Sequence, residues 1–358
     1  ADCLPEGVSM TSTTPGADPQ TGLRPIFVVG AARSGTTLLQ SMIDAHPDIA
    51  LVGELHFFDQ ILRLRETIPE PVDRRAIEPL RQGILTCHAS RFVPDIERAL
   101  DLALPRLATA PRPTYGLLFR LLLEAFAELR GAGRVGEKTP TNVRYLAEIV
   151  ELFPDARVVH ILRDPRDSIS SRVRYPFSSP SVIFNTLLWK IEMIYAFDFR
   201  ATEKVGDGRY LEVHYEALVQ DTEQQLRRIC RFIDVHYAAK MLAGHRRADR
   251  VVRGEPWKAG VGEPVNRRSV DAWQQRLTPA QVGLIEALGG ACIEQSGYQR
   301  IATAGRPRLV VEALHDVLRY VPYKLRTSWR ARREERAGTT IGSESSKITS
   351  MLWRALRS

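Results

Sequence analysis

PIFVVGAARSGTT, residues 25–37, opens with an apolar run, Ile26–Val29, that predicts a β-strand, and continues into a loop bounded by glycines. A helical pattern, Leu38–Ile43, follows the loop. This is the order in which a phosphate cradle is built. The loop turns tightly, and the unpaired N–H groups at the helix start lie at the positive end of the helix dipole. The stretch therefore predicts an anion site at the head of an α/β domain.

The loop is close to the P-loop of nucleoside triphosphatases but differs at one position. In the pattern GxxxxGK[ST], Gly30 and Gly35 are in place, whereas Thr36 stands where the lysine is expected. That lysine reaches the β- and γ-phosphates, so a loop without it suits a nucleotide with a shorter 5′ group. The cation of this loop is Arg33.

The length and the composition of the chain restrict the class of protein to which it can belong. With 358 residues, 44% of them apolar, the chain has the length of one large α/β domain or of two smaller ones, and one domain is favoured. No run of about 18 apolar residues predicts a transmembrane helix. Neither a metal site nor a disulfide framework is predicted, because no CxxC pair or carboxylate-rich cluster occurs. A reducing, cytoplasmic location follows as the simplest expectation. The four cysteines are far apart: Cys3, Cys87, Cys230 and Cys292.

Three regions are predicted along the chain. Residues 1–24 are rich in Ser, Thr, Pro and Gly and lack the pattern of a signal peptide, so they predict a disordered lead-in. Residues 25–305 form the main domain. Residues 306–358 carry 12 Lys or Arg and 5 Asp or Glu, which is +7 of the total net charge of +8. A nucleic-acid-binding protein would place its basic excess on the folded domain, so no nucleic-acid partner is predicted.

The apolar periodicity after the loop alternates between strand and helix. This alternation predicts an α/β fold, a doubly wound parallel sheet flanked by helices. A long polar stretch, residues 246–268, predicts a functional or disordered loop. The further predicted strands are Asp48–Val52, a short strand ending at Lys138, Arg157–Leu162 and Tyr210–Tyr215. The predicted helices run from Gly35 to near His46, over most of residues 57–130, from Pro140 through Phe153, and over Ser168–Arg174, Ser181–Arg200 and Thr222–Ile233.

Several motifs in this order resemble the sulfotransferases that use 3′-phosphoadenosine 5′-phosphosulfate (PAPS), and especially the tyrosylprotein sulfotransferase branch and its bacterial relatives. The resemblance covers roughly residues 25–300 and implies the P-loop-like sulfotransferase fold. It also implies sulfonate transfer from PAPS, without a metal, to a hydroxyl group. The motifs are the loop, His46-Pro47-Asp48, Gly53-Glu54, Glu137-Lys138-Thr139-Pro140, the segment Arg163–Ser171, and Tyr215-Glu216.

The resemblance also implies which residues hold the cofactor. Arg163 and Ser171 are expected at the 3′-phosphate, and Tyr215 beside the adenosine. As a bare pattern, Arg163-Asp164 and Arg166-Asp167 also fit surface ion pairs. Their place after a buried strand favours a phosphate contact, because a fixed guanidinium binds phosphate in a bidentate way. The residues expected around the 5′-phosphosulfate are Arg33, Ser34, Gly35, Thr36 and Thr37.

Three residues are implied to carry the chemistry. The family places its general base at Glu54, and its matching lysine, Lys138, reaches the transferring sulfonate. Arg33 and Lys138 are expected to stabilise charge on the leaving group. His56 is the rival for the base, since histidine serves as base in other sulfotransferase branches. Read without the resemblance, Glu54 fits a carboxylate at a helix start and Lys138 a solvated lysine.

Two departures from the family pattern stand out, one that bears on the acceptor and one that bears on the cofactor. The tyrosylprotein branch has acidic and basic residues after its glutamate, whereas this chain continues as Leu55-His56-Phe57-Phe58. A hydroxyl of a small molecule, glycan or lipid is therefore expected in place of a protein tyrosine. Residues 264–273 resemble the family's late cofactor loop only in part, because Ala272 stands at the position of a lysine, and Arg267 or Arg268 is the expected substitute.

The C-terminal region has an apolar stripe followed by arginines. Pro322 is predicted to bend or end this helix. One interpretation is that the stripe packs on the domain and the arginines, up to Arg336, are solvated. The other is a peripheral contact of the stripe and Trp329 with a membrane surface. The stripe comprises Leu309, Val310, Ala313, Leu314, Val317, Leu318 and Val321.

Two other functions remain open at this point. A P-loop kinase or NTPase would bind ATP with Mg²⁺, although the loop lacks its lysine. A non-catalytic nucleotide-binding or membrane-scaffold protein could keep the fold without the chemistry. The joint presence of Glu54, Lys138 and the loop favours the sulfotransferase over both.

Overall fold

The computed structural model describes residues 23–87, 93–175, 178–202, 208–247, 262–301 and 305–336, so the predicted lead-in lies almost wholly outside the described residues. Five parallel strands form one sheet in the order β2-β3-β1-β4-β5. The predicted parallel α/β architecture is thereby confirmed. The strands are β1 (Ile26–Val29), β2 (Ile49–Val52), β3 (Arg134–Lys138), β4 (Arg157–Leu162) and β5 (Tyr210–His214).

β1 lies at the centre of the sheet and is buried on both faces. Successive side chains of a strand point to opposite faces, so Phe27 and Val29 enter one core while Ile26 and Val28 enter the other. Phe27 packs against Phe119 on the first side. Because helices cover both faces, the strand is uniformly apolar, with no polar alternate residues.

Helices cover the sheet along most of the chain. None of those described has both the length and the apolarity needed to cross a membrane. The α-helices are α1 (Thr36–Asp44), α2 (Ile77–Thr86), α3 (Ile96–Thr109), α4 (Tyr115–Arg130), α5 (Leu146–Leu152), α6 (Pro165–Arg172), α7 (Val182–Ala201), α8 (Tyr215–Gln220), α9 (Thr222–Phe232), α10 (Trp273–Arg276), α11 (Pro279–Gly289), α12 (Ala291–Gln295) and α13 (Arg306–Arg336). Short 3₁₀ segments are Ile61–Glu66, Arg74–Ala76, Pro140–Tyr145 and Ala239–Arg247.

Several boundaries differ from those predicted, and α6 begins at Pro165, three residues before the predicted start at Ser168. The helix expected from Pro140 starts as a 3₁₀ segment and becomes α-helical only at Leu146. The strand expected to include Tyr215 ends at His214, and Tyr215 begins α8. Its neighbour Glu216 accepts a hydrogen bond from the backbone N–H of Asp164, which holds the start of α8 against the loop that follows β4. This tertiary contact overrides the local β preference of tyrosine.

The C-terminal helix α13 continues through Pro322 to Arg336, so the prediction that it ends at this proline is wrong. Proline removes the hydrogen bond to the carbonyl of the residue four positions earlier, Leu318. Leu318 is exposed, and water can bond its carbonyl instead. The helix docks on the domain through Asp316, whose carboxylate accepts the backbone N–H groups of Val182 at 2.6 Å and Ile183 at 3.2 Å and so caps α7.

Candidate active site

The carboxyl ends of the five strands bring the predicted site residues together. In the spatial order of the sheet they carry Glu54 after β2, Lys138 on β3, the loop at residues 30–35 after β1, Arg163 after β4 and Tyr215 after β5. With strands about 4.8 Å apart, this row spans about 20 Å. Ligands of open α/β sheets bind at this edge. The row therefore has the length and the position of an extended ligand site.

The two glycines of the loop are required by close contacts. A Cβ atom on Gly30 would lie 2.6 Å from the carbonyl oxygen of Ile161 on β4. Gly35 has φ of 99°, in the left-handed region, and a Cβ there would lie 2.5 Å from the Tyr215 ring. The loop thus packs directly on β4 and on the start of α8.

Helix α1 begins in a manner that favours an anion. Among the described residues no side chain caps its N-terminus, and its first turn contains no acidic residue. Two arginines hold the carbonyls of the preceding loop, since Arg163 Nη1 donates to the carbonyl of Arg33 and Arg172 Nε donates to that of Ala32, both at 2.9 Å. Nothing in the sequence singles out Arg172, because its partner lies 140 residues away.

Arg33 joins the loop to α6. Its Nε donates to Ser171 Oγ at 3.2 Å, and its guanidinium lies 5.1 Å from the centroid of the Tyr175 ring. Burial lowers the pKa of Arg33 from its ordinary value, and the nearby charges of Arg163 and Arg172 act in the same direction. Arg33, expected at the 5′-phosphosulfate, and Ser171, expected at the 3′-phosphate, are therefore in direct contact.

The remaining loop residues lie at the same place. Ser34 is buried with its hydroxyl 3.4 Å from that of Ser168 on α6, and Thr36 is buried beneath the loop. Thr37 points toward β3, where its Oγ1 lies 3.5 Å from Lys138 Nζ. The loop hydroxyls therefore border both the α6 side and the lysine side of the site.

Arg163 is held rigidly. Its Nη2 donates to the carbonyl of Ser269 at 2.5 Å, and its guanidinium lies 4.6 Å over the Tyr215 ring. Its Nε is buried and has no hydrogen-bond partner in the part of the chain that the structure describes. The interpretation as surface ion pairs is wrong, because Asp164 pairs instead with Arg166 at 2.7 Å and both side chains are buried.

Lys138 is buried, with 1% of its side chain exposed, so the solvated alternative is wrong. Its ammonium group donates to Glu54 Oε1 and lies near Thr37. It therefore stands between the carboxylate after β2 and the loop after β1. Lys138 therefore contacts both the predicted base and the predicted phosphosulfate site.

His56 lies between two carboxylates. Its Nε2 is 3.3 Å from Glu54 Oε2 and its Nδ1 is 3.3 Å from Asp59 Oδ2. Burial alone would lower the pKa of His56, but the hydrogen bonds and charges of the two acids outweigh it and raise the pKa to about 9. The ring is consequently an imidazolium at neutral pH, with an N–H on both nitrogens.

Asp59 anchors this arrangement. It is buried and accepts hydrogen bonds from Thr141, from Tyr145 at 2.9 Å and from Arg144 at 3.4 Å. Burial tends to raise the pKa of Asp59, but the bond with His56, the Arg144 charge and the Thr141 bond lower it overall. The acid is thus ionised and holds the proton on the His56 ring.

A second buried carboxylate, Glu137, fixes the backbone next to Glu54. It accepts the N–H of Leu55 at 3.0 Å, the amide of Asn142 at 2.7 Å and the hydroxyl of Thr139. Burial raises the pKa of Glu137 to about 7, against these bonds. Sequence reasoning assigned this residue no role of its own, although a carboxylate within a strand that must be buried on both faces was an available signal.

Replacing His56 by Gln tests its ion pair through stability. The folded pKa of His56 lies above its unfolded value of about 6.5, so the charged ring stabilises the native state fully below that value and loses this effect as pH rises through about 9. The excess stability of the wild type over the variant should therefore fall by about 2–3 kcal/mol from pH 6 to pH 10, measured by urea unfolding. A difference that stays constant with pH would contradict the assignment.

Residues 264–273, which resemble the family's late cofactor loop, contact α6 and Arg163 through their backbone. The carbonyl of Ser269 accepts a hydrogen bond from Arg163, and the N–H of Trp273 donates to Asp167 Oδ1 at 2.8 Å. Arg267 and Arg268 are exposed, and Arg268 pairs with Glu263 at 3.2 Å, so their substitution for the missing lysine stays a prediction. Within the described ranges, no group of three or more His, Cys, Asp or Glu side chains is arranged to hold a metal ion.

Comparisons with known proteins agree with this geometry. A model of the sulfotransferase family matches residues 25–239. Protein-tyrosine sulfotransferase A of Caenorhabditis elegans is 26% identical over 309 residues, covering 82% of this chain and 73% of that protein. Omega-hydroxy-beta-dihydromenaquinone-9 sulfotransferase Stf3 of Mycobacterium bovis is 27% identical over 324 residues, covering 74% and 79%.

A longer protein of Aquifex aeolicus is 27% identical over 289 residues, and the match spans only 33% of its length. Among solved structures, the sulfotransferase domain of the Synechococcus PCC 7002 olefin synthase shares the fold, with a TM-score of 0.52 and 22% identity over 75% of this chain and 96% of that domain. The resemblance drawn from the sequence motifs is confirmed: the chain belongs to the sulfotransferase family.

Proposed function

We propose that this chain transfers a sulfonate group from PAPS to a hydroxyl group of a small-molecule, glycan or lipid acceptor by in-line displacement. The observation that carries the proposal is the order of groups along the sheet edge. A carboxylate, a buried lysine, a glycine loop with an uncapped helix, and a fixed arginine follow one another from β2 to β4. This spatial order suits an extended nucleotide, because the carboxylate and the lysine lie at the end that would hold the reactive group and the arginine lies at the other end.

The donor end of the site fits a nucleotide with two separate phosphate groups. The N–H groups at the start of α1, with Ser34, Thr36 and Thr37, would hold the 5′-phosphosulfate. Arg163 and Ser171 would hold the 3′-phosphate, and the buried Nε–H of Arg163 is an orphan donor suited to an anion. PAPS supplies the sulfonate and the leaving group.

The acceptor end favours Glu54 over His56 as the general base. A protonated imidazole has no free nitrogen lone pair, so His56 cannot accept a proton until it loses the one that its carboxylates stabilise. Glu54 is at the open side, with 26% of its side chain exposed, and an acceptor hydroxyl can approach it. His56 then serves as a positioning residue that orients the carboxylate.

The reaction balances with these groups alone. The acceptor oxygen forms a bond to sulfur as the bond from sulfur to the 5′-phosphate oxygen breaks, and the hydroxyl proton passes to Glu54. Adenosine 3′,5′-bisphosphate leaves. Lys138 and Arg33 supply fixed positive charge where negative charge develops, and such preorganised charge supplies much of the catalysis in related group transfers.

The acceptor class is proposed from the residues that follow Glu54. Phe57 and Phe58 are buried and stack with Phe119 and Tyr145, so they form part of the core and offer no charge to an acidic peptide. As their names state, the mycobacterial relative Stf3 acts on an omega-hydroxylated dihydromenaquinone and the nematode relative acts on protein tyrosine. Because this chain lacks charged side chains at the positions of Phe57 and Phe58, a non-peptide hydroxyl is the acceptor that we propose.

Calorimetric titration tests the donor. Adenosine 3′,5′-bisphosphate is expected to bind at least about tenfold more tightly than ADP, because each charge-assisted hydrogen bond to the 3′-phosphate contributes about 1.5–3 kcal/mol. Added Mg²⁺ should leave the affinity for the bisphosphate unchanged. Equal affinity for ADP, or tighter binding of ATP with Mg²⁺, would instead favour a P-loop kinase or NTPase.

A further inference from the structure

The outer side of helix α13 exposes a continuous apolar stripe. Its seven large side chains are between 47% and 69% exposed. Successive members are one, three or four positions apart, which places them on one side of the helix over about 24 Å. We call this set the outer stripe: Val310, Val311, Leu314, Val317, Leu318, Val321 and Leu325.

The opposite side of the helix fixes this orientation. Asp316 is buried and caps α7, Tyr320 stacks on Phe184 with ring centroids 5.3 Å apart, and Glu312 accepts the amide of Gln281 at 3.0 Å. The interpretation that the whole predicted stripe packs on the domain is therefore wrong. Polar and aromatic groups make the docking contacts, and most of the apolar residues face away from the domain.

One edge of the outer stripe is cationic. Arg308, Arg319 and Arg326 are spaced by eleven and seven residues, so they share one side of the helix beside the stripe, and all three are exposed. The only carboxylates between residues 307 and 328 are those of Glu312 and Asp316, both used in docking. The exposed half of this segment thus combines apolar side chains with positive charge alone.

We infer that α13 is a docking surface for an anionic lipid bilayer, lying in the plane of the headgroups with the outer stripe turned toward the acyl chains. A helix with a wide apolar side and a basic edge is suited to such an interface. Residues 327–336 continue the same helix and add four arginines against two glutamates in sequence. Anionic headgroups match this charge.

A second copy of the chain is the other occupant that an apolar helix side can take. Pairing two outer stripes would bring the arginine edges of both copies close together, with no acidic residues on the exposed half to compensate them. Like charges across an interface oppose association, whereas an anionic membrane attracts the same edge. The charge pattern therefore favours the bilayer. The inference does not depend on the proposed reaction or on the acceptor being a lipid.

Vesicle co-sedimentation of the full-length protein tests the surface. We expect the wild type to pellet with vesicles of phosphatidylcholine containing about 30% phosphatidylglycerol and to remain in solution with pure phosphatidylcholine. The variant Leu318→Gln/Leu325→Gln should lose at least about tenfold in apparent affinity. The variant Arg319→Gln/Arg326→Gln should weaken binding and reduce its dependence on salt.

A matched control separates this helix from general surface hydrophobicity. Leu242 and Ile301 are also exposed apolar residues, at 36% and 55%, but lie outside α13, so Leu242→Gln/Ile301→Gln should pellet like the wild type. Unchanged melting temperatures would exclude misfolding. Equal pelleting of the stripe variant and the wild type, or no pelleting of the wild type, would overturn the inference. A wild-type dimer that the stripe variant converts to monomer would assign the surface to a second copy instead.

Discussion

Replacing Glu54 by Gln is expected to lower the rate of sulfonate transfer by about 10²- to 10⁴-fold and to leave the affinity for adenosine 3′,5′-bisphosphate nearly unchanged. Glutamine keeps the size of the side chain and an oxygen that can accept from Lys138, but it cannot take up the acceptor proton. The proposed nucleotide contacts follow β1 and β4 in the chain, whereas Glu54 follows β2. A loss confined to the transfer rate is therefore the signature of a general base.

The matched variant is His56→Gln, which removes the neighbouring candidate. It should reduce the rate by less than about tenfold, because it removes an orienting imidazolium and leaves the base in place. The rate is measured as the transfer of radiolabelled sulfonate from PAPS to an extract of lipids and small molecules. All variants are assayed with the same extract, so the acceptor need not be identified first. If His56→Gln lost more activity than Glu54→Gln, the assignment of the base would have to be reversed.

Local sequence signals were sufficient for the central elements of the fold. The run Ile26–Val29 and the loop glycines predict a strand and a tight turn from their own side chains, and both lie as expected. The buried strand Arg157–Leu162 was equally clear, because a strand covered on both faces is apolar throughout. Each of these signals lies within a few adjacent residues.

The order of the site residues in space could not be derived in the same way. Along the chain, Arg33 precedes Glu54 and Lys138, but the sheet places β3 between β2 and β1. Only strand pairing sets Lys138 between the carboxylate and the loop, and the pairing of β1 with β3 joins segments more than 100 residues apart. The resemblance to sulfotransferases supplied roles for these residues, and the sheet supplied their arrangement.

The protonation of His56 was also beyond sequence reasoning. The sequence presents histidine as a base, since its ordinary pKa is near neutrality. The raised pKa depends on Asp59 and Glu54. The pKa of Asp59 is in turn lowered by its bond with His56, by the charge of Arg144 and by the bond from Thr141, and the last two residues lie more than 80 positions away in the sequence. In the same way, nothing adjacent to Asp316 indicates that it caps α7, and this contact decides which side of α13 is exposed.

Replacing Lys138 by Met is expected to reduce the rate of transfer by about 10²- to 10³-fold, the range found when one hydrogen-bond donor is removed from an oxyanion hole. Methionine has a similar length and suits a buried position, and Glu54 keeps its contact with His56. The affinity for adenosine 3′,5′-bisphosphate should change by less than about threefold, because this product lacks the sulfonate that Lys138 is proposed to contact. The two measurements together separate stabilisation of the reacting group from nucleotide binding.

Arg134→Met is the matched control. Arg134 is the first residue of β3 and Lys138 is the last, so Arg134 lies at the end of the strand that is away from the site. Arg134 donates to the carbonyl of Ile233 at 2.6 Å, so its loss should lower the melting temperature without slowing transfer. If Lys138→Met weakened binding of the bisphosphate as much as it slowed transfer, the lysine would belong to the nucleotide site. If Lys138→Met kept the wild-type rate, the charge facing the sulfonate would have to come from Arg33, the other cation at the loop.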